Sequence, residues 1–155
     1  MSDEEIKIHR GLNNVYFDRT KTTYINGKEG ILEYRGYNIH DLSEKSSFEE
    51  VSYLLLYGKL PTKNELDAFN SSLKESRKIP SQVIDIIKSI KDSHPMDVLR
   101  TAVSALSTFD EEASDKSYDA TMRKGIRLTS QVPTIVMAHN SIRNGKDPVD
   151  PSKEL

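Results

Sequence analysis

The chain has no cysteine, which removes disulfide scaffolds, thiolate nucleophiles and cysteine-based zinc sites together. Tryptophan is absent too, and of the few aromatic residues most are tyrosine. Neither charge sign dominates. With 22 basic and 24 acidic residues the formal charge is −2, so no broad field gathers phosphate backbones or anionic lipid. Arg35 between Tyr34 and Tyr37 has the composition of a base-stacking patch, but a single such triplet reads as local packing. Long apolar runs are missing as well. The densest, Tyr53-Leu54-Leu55-Leu56-Tyr57, is far too short to span a bilayer, and the polar start Met1–Arg10 has no signal-peptide core. Cytoplasmic residence is the expectation.

What is present is periodic. A chain of 155 residues suits one domain, and its 35% hydrophobic content is clustered enough to argue against disorder. Residues 1–12 read as a flexible N-terminus and 13–155 as the folded part. Between Val15 and Ile39 the pattern is extended. Asn26-Gly27 and Gly30 separate Thr22–Ile25 from Ile31–Tyr34, which predicts a short β-hairpin whose loop uses both glycines. The Gly-Lys-Glu-Gly stretch inside it lacks the spacing of a phosphate-binding loop.

From Ser47 the period becomes helical. Ser47 with Glu50, and Thr62 with Glu65, form two S/T-x-x-E capping boxes, and Gly58 is placed to close the first helix. That first helix leaves little polar face and is expected to be buried on most sides, whereas Leu66, Phe69 and Leu73 give the second a narrower stripe. Ser81 is expected to cap a third helix bearing Val83, Ile86, Ile87 and Ile90. Pro95 suits the first position of a fourth, running to Phe109, because the N–H it lacks would be unpaired there. Met96, Leu99, Val103 and Leu106 line it, with Ala102 and Ala105 permitting close approach of a neighbour. An acidic loop, Asp110–Ser117, precedes a last stretch, Tyr118–Arg143, which Pro133 is expected to kink or divide.

Candidate chemistry is sparse. His9, His40, His94 and His139 are scattered, and no His-x-x-x-His or His-Glu-x-x-His spacing offers a metal site. His40-Asp41 are adjacent, and neighbours in sequence seldom aim at each other. His94, before Pro95, suits a neutral capping role at a helix start. Arg123 and Arg127 share a helical face at i, i+4, where ion pairing with nearby Asp and Glu is favoured over ligand binding. These residues describe a helical module with no visible active site.

Several stretches in series resemble the citrate synthase family. They are Gly30-Ile31-Leu32-Glu33-Tyr34-Arg35-Gly36-Tyr37; Phe48–Gly58 followed by Leu60-Pro61-Thr62; Ser93-His94-Pro95-Met96-Asp97-Val98-Leu99-Arg100 with Ala102–Leu106; and Gln131–Val136 with Arg143-Asn144-Gly145-Lys146. Their order and spacing match the N-terminal portion of a citrate or 2-methylcitrate synthase. The resemblance implies a mainly α fold, large-domain helices preceded by a short N-terminal β-hairpin, and condensation of acetyl-CoA with oxaloacetate to citrate and CoA. In the family, one histidine and an aspartate enolise the thioester methyl group, another histidine polarises the ketone, and arginines hold the carboxylates. Those residues lie in His-Gly-Gly and Gly-His-x-Val-Tyr stretches and beyond. Here no histidine is followed by Gly-Gly and none is preceded by Gly, so no catalytic, cofactor-binding or metal residue carries over. The resemblance further implies a homodimer through helices 95–109 and 118–143. Met96, Leu99, Arg100, Val103 and Leu106 are the interface candidates, with an intrachain core as the competing reading for the apolar ones. No cofactor is expected on this segment, and acetyl-CoA is expected only as substrate of the full-length enzyme. A non-catalytic interaction module, or one piece of a split enzyme, stands as the alternative.

Overall fold

The computed structural model describes residues 11–12, 15–16 and 18–152; His9 and nearly all of the expected flexible N-terminus lie outside them. The described chain divides into two units, up to Lys45 and from Ser46 onward.

In the first unit the hairpin forms as expected, β1 (Thr23–Asn26) pairing antiparallel with β2 (Ile31–Tyr34). Asn26 organises the loop. Its Oδ1 accepts the N–H groups of Lys28 (3.2 Å) and Glu29 (3.3 Å), while its Nδ2 donates to Glu29 Oε2 (2.9 Å). Two further elements were not anticipated. A two-residue strand β3 (Tyr37–Asn38) pairs with β2, and helix α1 (Ile39–Lys45) follows directly. The turn into β3 puts Arg35 (φ 52°) and Gly36 (φ 86°) consecutively in the left-handed region, the conformation of a tight hairpin turn. Arginine rarely adopts it, which is why the residue types did not announce the turn.

The second unit is helical: α2 (Phe48–Tyr57), α3 (Lys63–Glu75), α4 (Ser81–Ser89), α5 (Pro95–Leu106), a 3-10 turn (Ser107–Phe109) and α6 (Tyr118–Arg143). Both capping boxes are made, with Ser47 and Thr62 accepting from the N–H of Glu50 and Glu65 and both carboxylates bonding back to the cap N–H. Gly58, left-handed at φ 81°, closes α2. Ser81 is not a cap. Pro80 holds that position without a side-chain bond, and Ser81 is already helical with its hydroxyl turned to Gln82. Pro133 neither ends nor splits α6, which runs as one helix with the proline ring on an exposed face. The missing N–H leaves one carbonyl short within a long ladder.

Two apolar clusters hold this unit. The larger joins α4, α5 and α6 through Val83, Ile87, Val98, Ala102, Ile135 and Ala138. The smaller joins α2 and α3 through Tyr53, Phe69 and Leu73, with Leu56 and Ile126 beside them. Tyr53 stacks on Tyr57 at 4.3 Å and meets the Phe69 ring edge-on at 5.4 Å. Helix α2 is less enclosed than its sequence suggests. Tyr53 and Leu54 are buried, but Phe48 and Tyr57 remain exposed. Where α6 passes α2, a methyl group on Gly125 would lie 3.2 Å from Leu56 Cδ2, so the missing side chain sets that approach.

Candidate functional site

The densest set of charged side chains in the helical unit lies where the acidic loop meets the start of α6. Arg127 bonds Asp110 through both carboxylate oxygens (2.9 and 2.8 Å) and Glu112 Oε2 (2.9 Å). Arg123 donates to Glu112 Oε1 through Nε (2.9 Å) and again through a terminal nitrogen. Lys124 Nζ donates to the carbonyls of Glu112 (3.1 Å) and Asp115. The loop is thus fastened to one helical face at i and i+4.

Hydrogen bonds from Arg123, then Arg127, bring the Glu112 carboxyl down to about 2. Burial would raise Asp110, yet the Arg127 hydrogen bond, the Glu112 N–H and the guanidinium charge together leave it lowered. Two ionised carboxylates and two guanidiniums neutralise one another. Such a set offers neither a base poised near neutrality nor a free cation for an anionic ligand. Beside it runs an open groove of about 500 Å³, walled by Val103, Leu106, Phe109 and Leu128.

Two of the histidines, His94 and His139, are engaged with nearby backbone groups. His94 caps α5, its Nδ1 accepting the Met96 N–H (3.2 Å), as the neutral ring expected at a helix start does. His139 is buried and its Nε2 lies 2.9 Å from the Lys91 carbonyl, which can only accept, so that nitrogen carries the proton. Asp41 does not orient His40. Its carboxylate takes the Lys45 ammonium at 2.6 Å, and that bond is the largest cause of its lowered pKa. Among the described residues no group of three or more His, Asp or Glu is placed to hold a metal ion.

The five interface candidates on α5 are distributed around the helix. Leu106 is in the core, Leu99 and Val103 are half-buried against it, and Met96 and Arg100 face solvent, Arg100 paired with Asp97 at 3.0 Å. The face that enters the core is Val98, Ala102 and Leu106, rotated from the expected stripe. On α6, Leu128, Val136 and Met137 are exposed. Sequence reasoning paired Arg123 and Arg127 with acidic neighbours only in general terms. Naming Asp110 and Glu112 required the chain reversal, because the pairs lie 11 to 17 residues apart.

Residues 11–155 match the family model described as "Citrate synthase, C-terminal domain". The chain belongs to the citrate synthase family. It is 44% identical over 149 residues to the citrate synthase of Deinococcus radiodurans, a match covering 96% of this chain and 40% of that protein. It is 39% identical over 152 residues to 2-methylcitrate synthase 1 of Corynebacterium glutamicum, covering 97% and 39%. The solved citrate synthase of Pyrobaculum aerophilum superposes with a TM-score of 0.88 at 35% identity, covering 93% of this chain and 38% of that one. That of Thermotoga maritima gives 0.80 at 34%, covering 96% and 38%. The mainly helical architecture with a small antiparallel sheet near the N-terminus is therefore that of citrate synthases, and the chain spans about 40% of the length of these four relatives.

Proposed function

We propose that this chain is the N-terminal part of a citrate synthase, an acyltransferase joining acetyl-CoA to oxaloacetate with release of citrate and CoA, and that it supplies scaffold without catalysing the reaction alone. The observation that carries the reading is the superposition on a citrate synthase at TM-score 0.88 across 93% of the chain. Inactivity alone is supported by the chemistry of the step. Removing a proton from a thioester methyl group needs imidazole and carboxylate groups converging on one bound substrate. His94 and His139 are instead engaged with backbone groups, and the Asp110–Glu112 carboxylates are held by arginines. The His-Gly-Gly and Gly-His stretches of the family have no counterpart in the sequence.

The working form in this reading is a cytoplasmic homodimer built through residues 95–109 and 118–143, with Met96, Leu99, Arg100, Val103 and Leu106 at or beside the seam. Met96, Leu128, Val136 and Met137 support it as exposed apolar side chains on those two helices. Among the described residues no helix is long and apolar enough to cross a membrane. Propionyl-CoA is the alternative acyl donor, in line with the name of the Corynebacterium relative.

The test is CoA release from acetyl-CoA and oxaloacetate by the purified chain, alone and mixed with a polypeptide supplying the rest of a relative's length. The proposal expects no release alone and restored turnover in the mixture. No turnover in either, with stable association, favours an interaction module. Turnover by the chain alone refutes the proposal.

A further inference from the structure

The segment leaving α6 does not run free into solvent. Asn144 and Gly145 end the helix, and the chain then turns past the C-terminal end of α4, where Lys146, Asp147 and Pro148 share a groove with Lys88, Lys91 and Ile142. Further on, Asp150 and Pro151 share a second groove with Lys74, Glu75, Arg77 and Lys78, which lie at the end of α3 and in the linker before α4. There a guanidinium nitrogen of Arg77 donates to the Ser152 carbonyl at 2.6 Å, across 75 residues of sequence.

The two anchorage points lie at opposite ends of α4, a helix of nine residues and so about 14 Å long. Six residues of extended chain cover that span, at about 3.3 Å each. The linker receiving the far end is itself fixed from the other side. The Arg77 carbonyl accepts the Thr134 hydroxyl (2.9 Å), and the Lys78 carbonyl accepts the Gln131 amide (3.2 Å). Pro148 and Pro151 reduce the number of conformations the segment loses on docking.

We infer that residues 146–152 form a strap that runs back along α4 and is latched by Arg77, a conformational device independent of the acyl-transfer reading. Its charge pattern fits this course. Asp147 and Asp150 travel past Lys88 and Lys91 at one end and Lys74, Arg77 and Lys78 at the other. Lys146 and Glu75 are the like charges in the two grooves, and Asp85 is paired with Lys88 at 3.4 Å. Among the described residues neither Asp147 nor Asp150 makes a close ion pair with these cations, so the attraction acts at longer range, where salt screens it within about a Debye length, ~10 Å at 0.1 M. The strap is therefore a salt-sensitive cover. When it lifts, the groove over Ile142, otherwise buried in the α4–α6 core, opens to water.

Backbone 15N relaxation on the intact chain tests this, reading the order of Asp147, Val149, Asp150 and Ser152 against that of α6. Arg77→Ala is expected to lower the strap's order parameters from about 0.8 to below about 0.6, with α6 unchanged. Arg77→Lys is expected to give a smaller fall. Raising salt on the unmodified chain is expected to lower the same values, and Asp147→Asn with Asp150→Asn to abolish that salt response. Strap order as low in the unmodified chain as in Arg77→Ala overturns the inference. So does a fall spread equally over α4 and α6, which marks Arg77 as a general support of the fold. Should Arg77→Ala fail to fold, the salt response of the unmodified chain and its loss in the double Asp variant decide the matter.

Discussion

The two apolar clusters of the helical unit are built from different materials and closed in different ways. The larger, between α4, α5 and α6, is almost wholly aliphatic, and polar side chains of α6 fasten both ends of α4 around it. Gln131 and Thr134 hold the linker before α4, and His139 holds Lys91 after it. The smaller cluster, between α2 and α3, relies on ring packing and leaves Tyr57 40% exposed. The contrast locates the rigid part of the scaffold. Close-packed aliphatic contacts enclosed by satisfied carbonyls tolerate little change, whereas an aromatic stack open on one side can adjust.

That contrast can be broken by substitution. The largest expected effect is Ile87→Ala, which removes a fully buried side chain from the aliphatic cluster and is expected to cost about 2–5 kcal/mol in chemical denaturation. His139→Ala comes next. It leaves the Lys91 carbonyl without its partner at 2.9 Å, and about 1–3 kcal/mol is expected, with faster hydrogen exchange at residues 90–93. Tyr57→Ala removes a half-exposed ring from the aromatic stack, and about 0.5–1.5 kcal/mol of ring–ring interaction is expected to go with it. A Tyr57 effect equal to that of Ile87 would erase the distinction between the clusters.

The pH response is smaller and sharpens the same picture at the loop before α6. The Glu112 carboxyl titrates near 4.5 in the unfolded chain and about 2 in the fold. A lowered folded pKa contributes stability that is present above pH 4.5 and lost as pH falls toward 2. Glu65, also held at about 2 by Lys59 and Thr62, titrates in the same window, so the comparison must be differential. Arg123→Gln with Arg127→Gln is expected to flatten the acid limb of the stability curve relative to the unmodified chain, removing the Glu112 and Asp110 parts and leaving those of Glu65, Asp41 and Asp115. Parallel curves would show that the arginines hold neither Glu112 nor Asp110 in solution.

Much of the scaffold was legible because its signals are local. A capping box spans four residues, so Ser47–Glu50 and Thr62–Glu65 declared their helices without any tertiary information. The glycine-flanked hairpin and the cap at His94 are of the same kind. What stayed hidden depends on residues acting outside their usual types, or on distance. Arg35 takes a left-handed turn normally given to Asn, Asp or Gly, which concealed β3. The short helix after it begins with Asn38 accepting the His40 N–H at 2.9 Å, an N-terminal signal too brief to stand out. On α5 the eye follows Met96, Leu99 and Val103, yet Ala102 is fully buried, because close helix crossing rewards small side chains over large ones. The arginine–carboxylate set needed the loop to fold back on α6.

We propose that this chain contributes scaffold and gathers no enolising set. The imidazole C–H resonances of all four histidines, followed while oxaloacetate and a CoA thioester analogue are added, decide it. Four independent signals are expected, none moving at saturating ligand. Two histidines shifting together, with matching affinity and a coupled carboxylate, would refute the proposal.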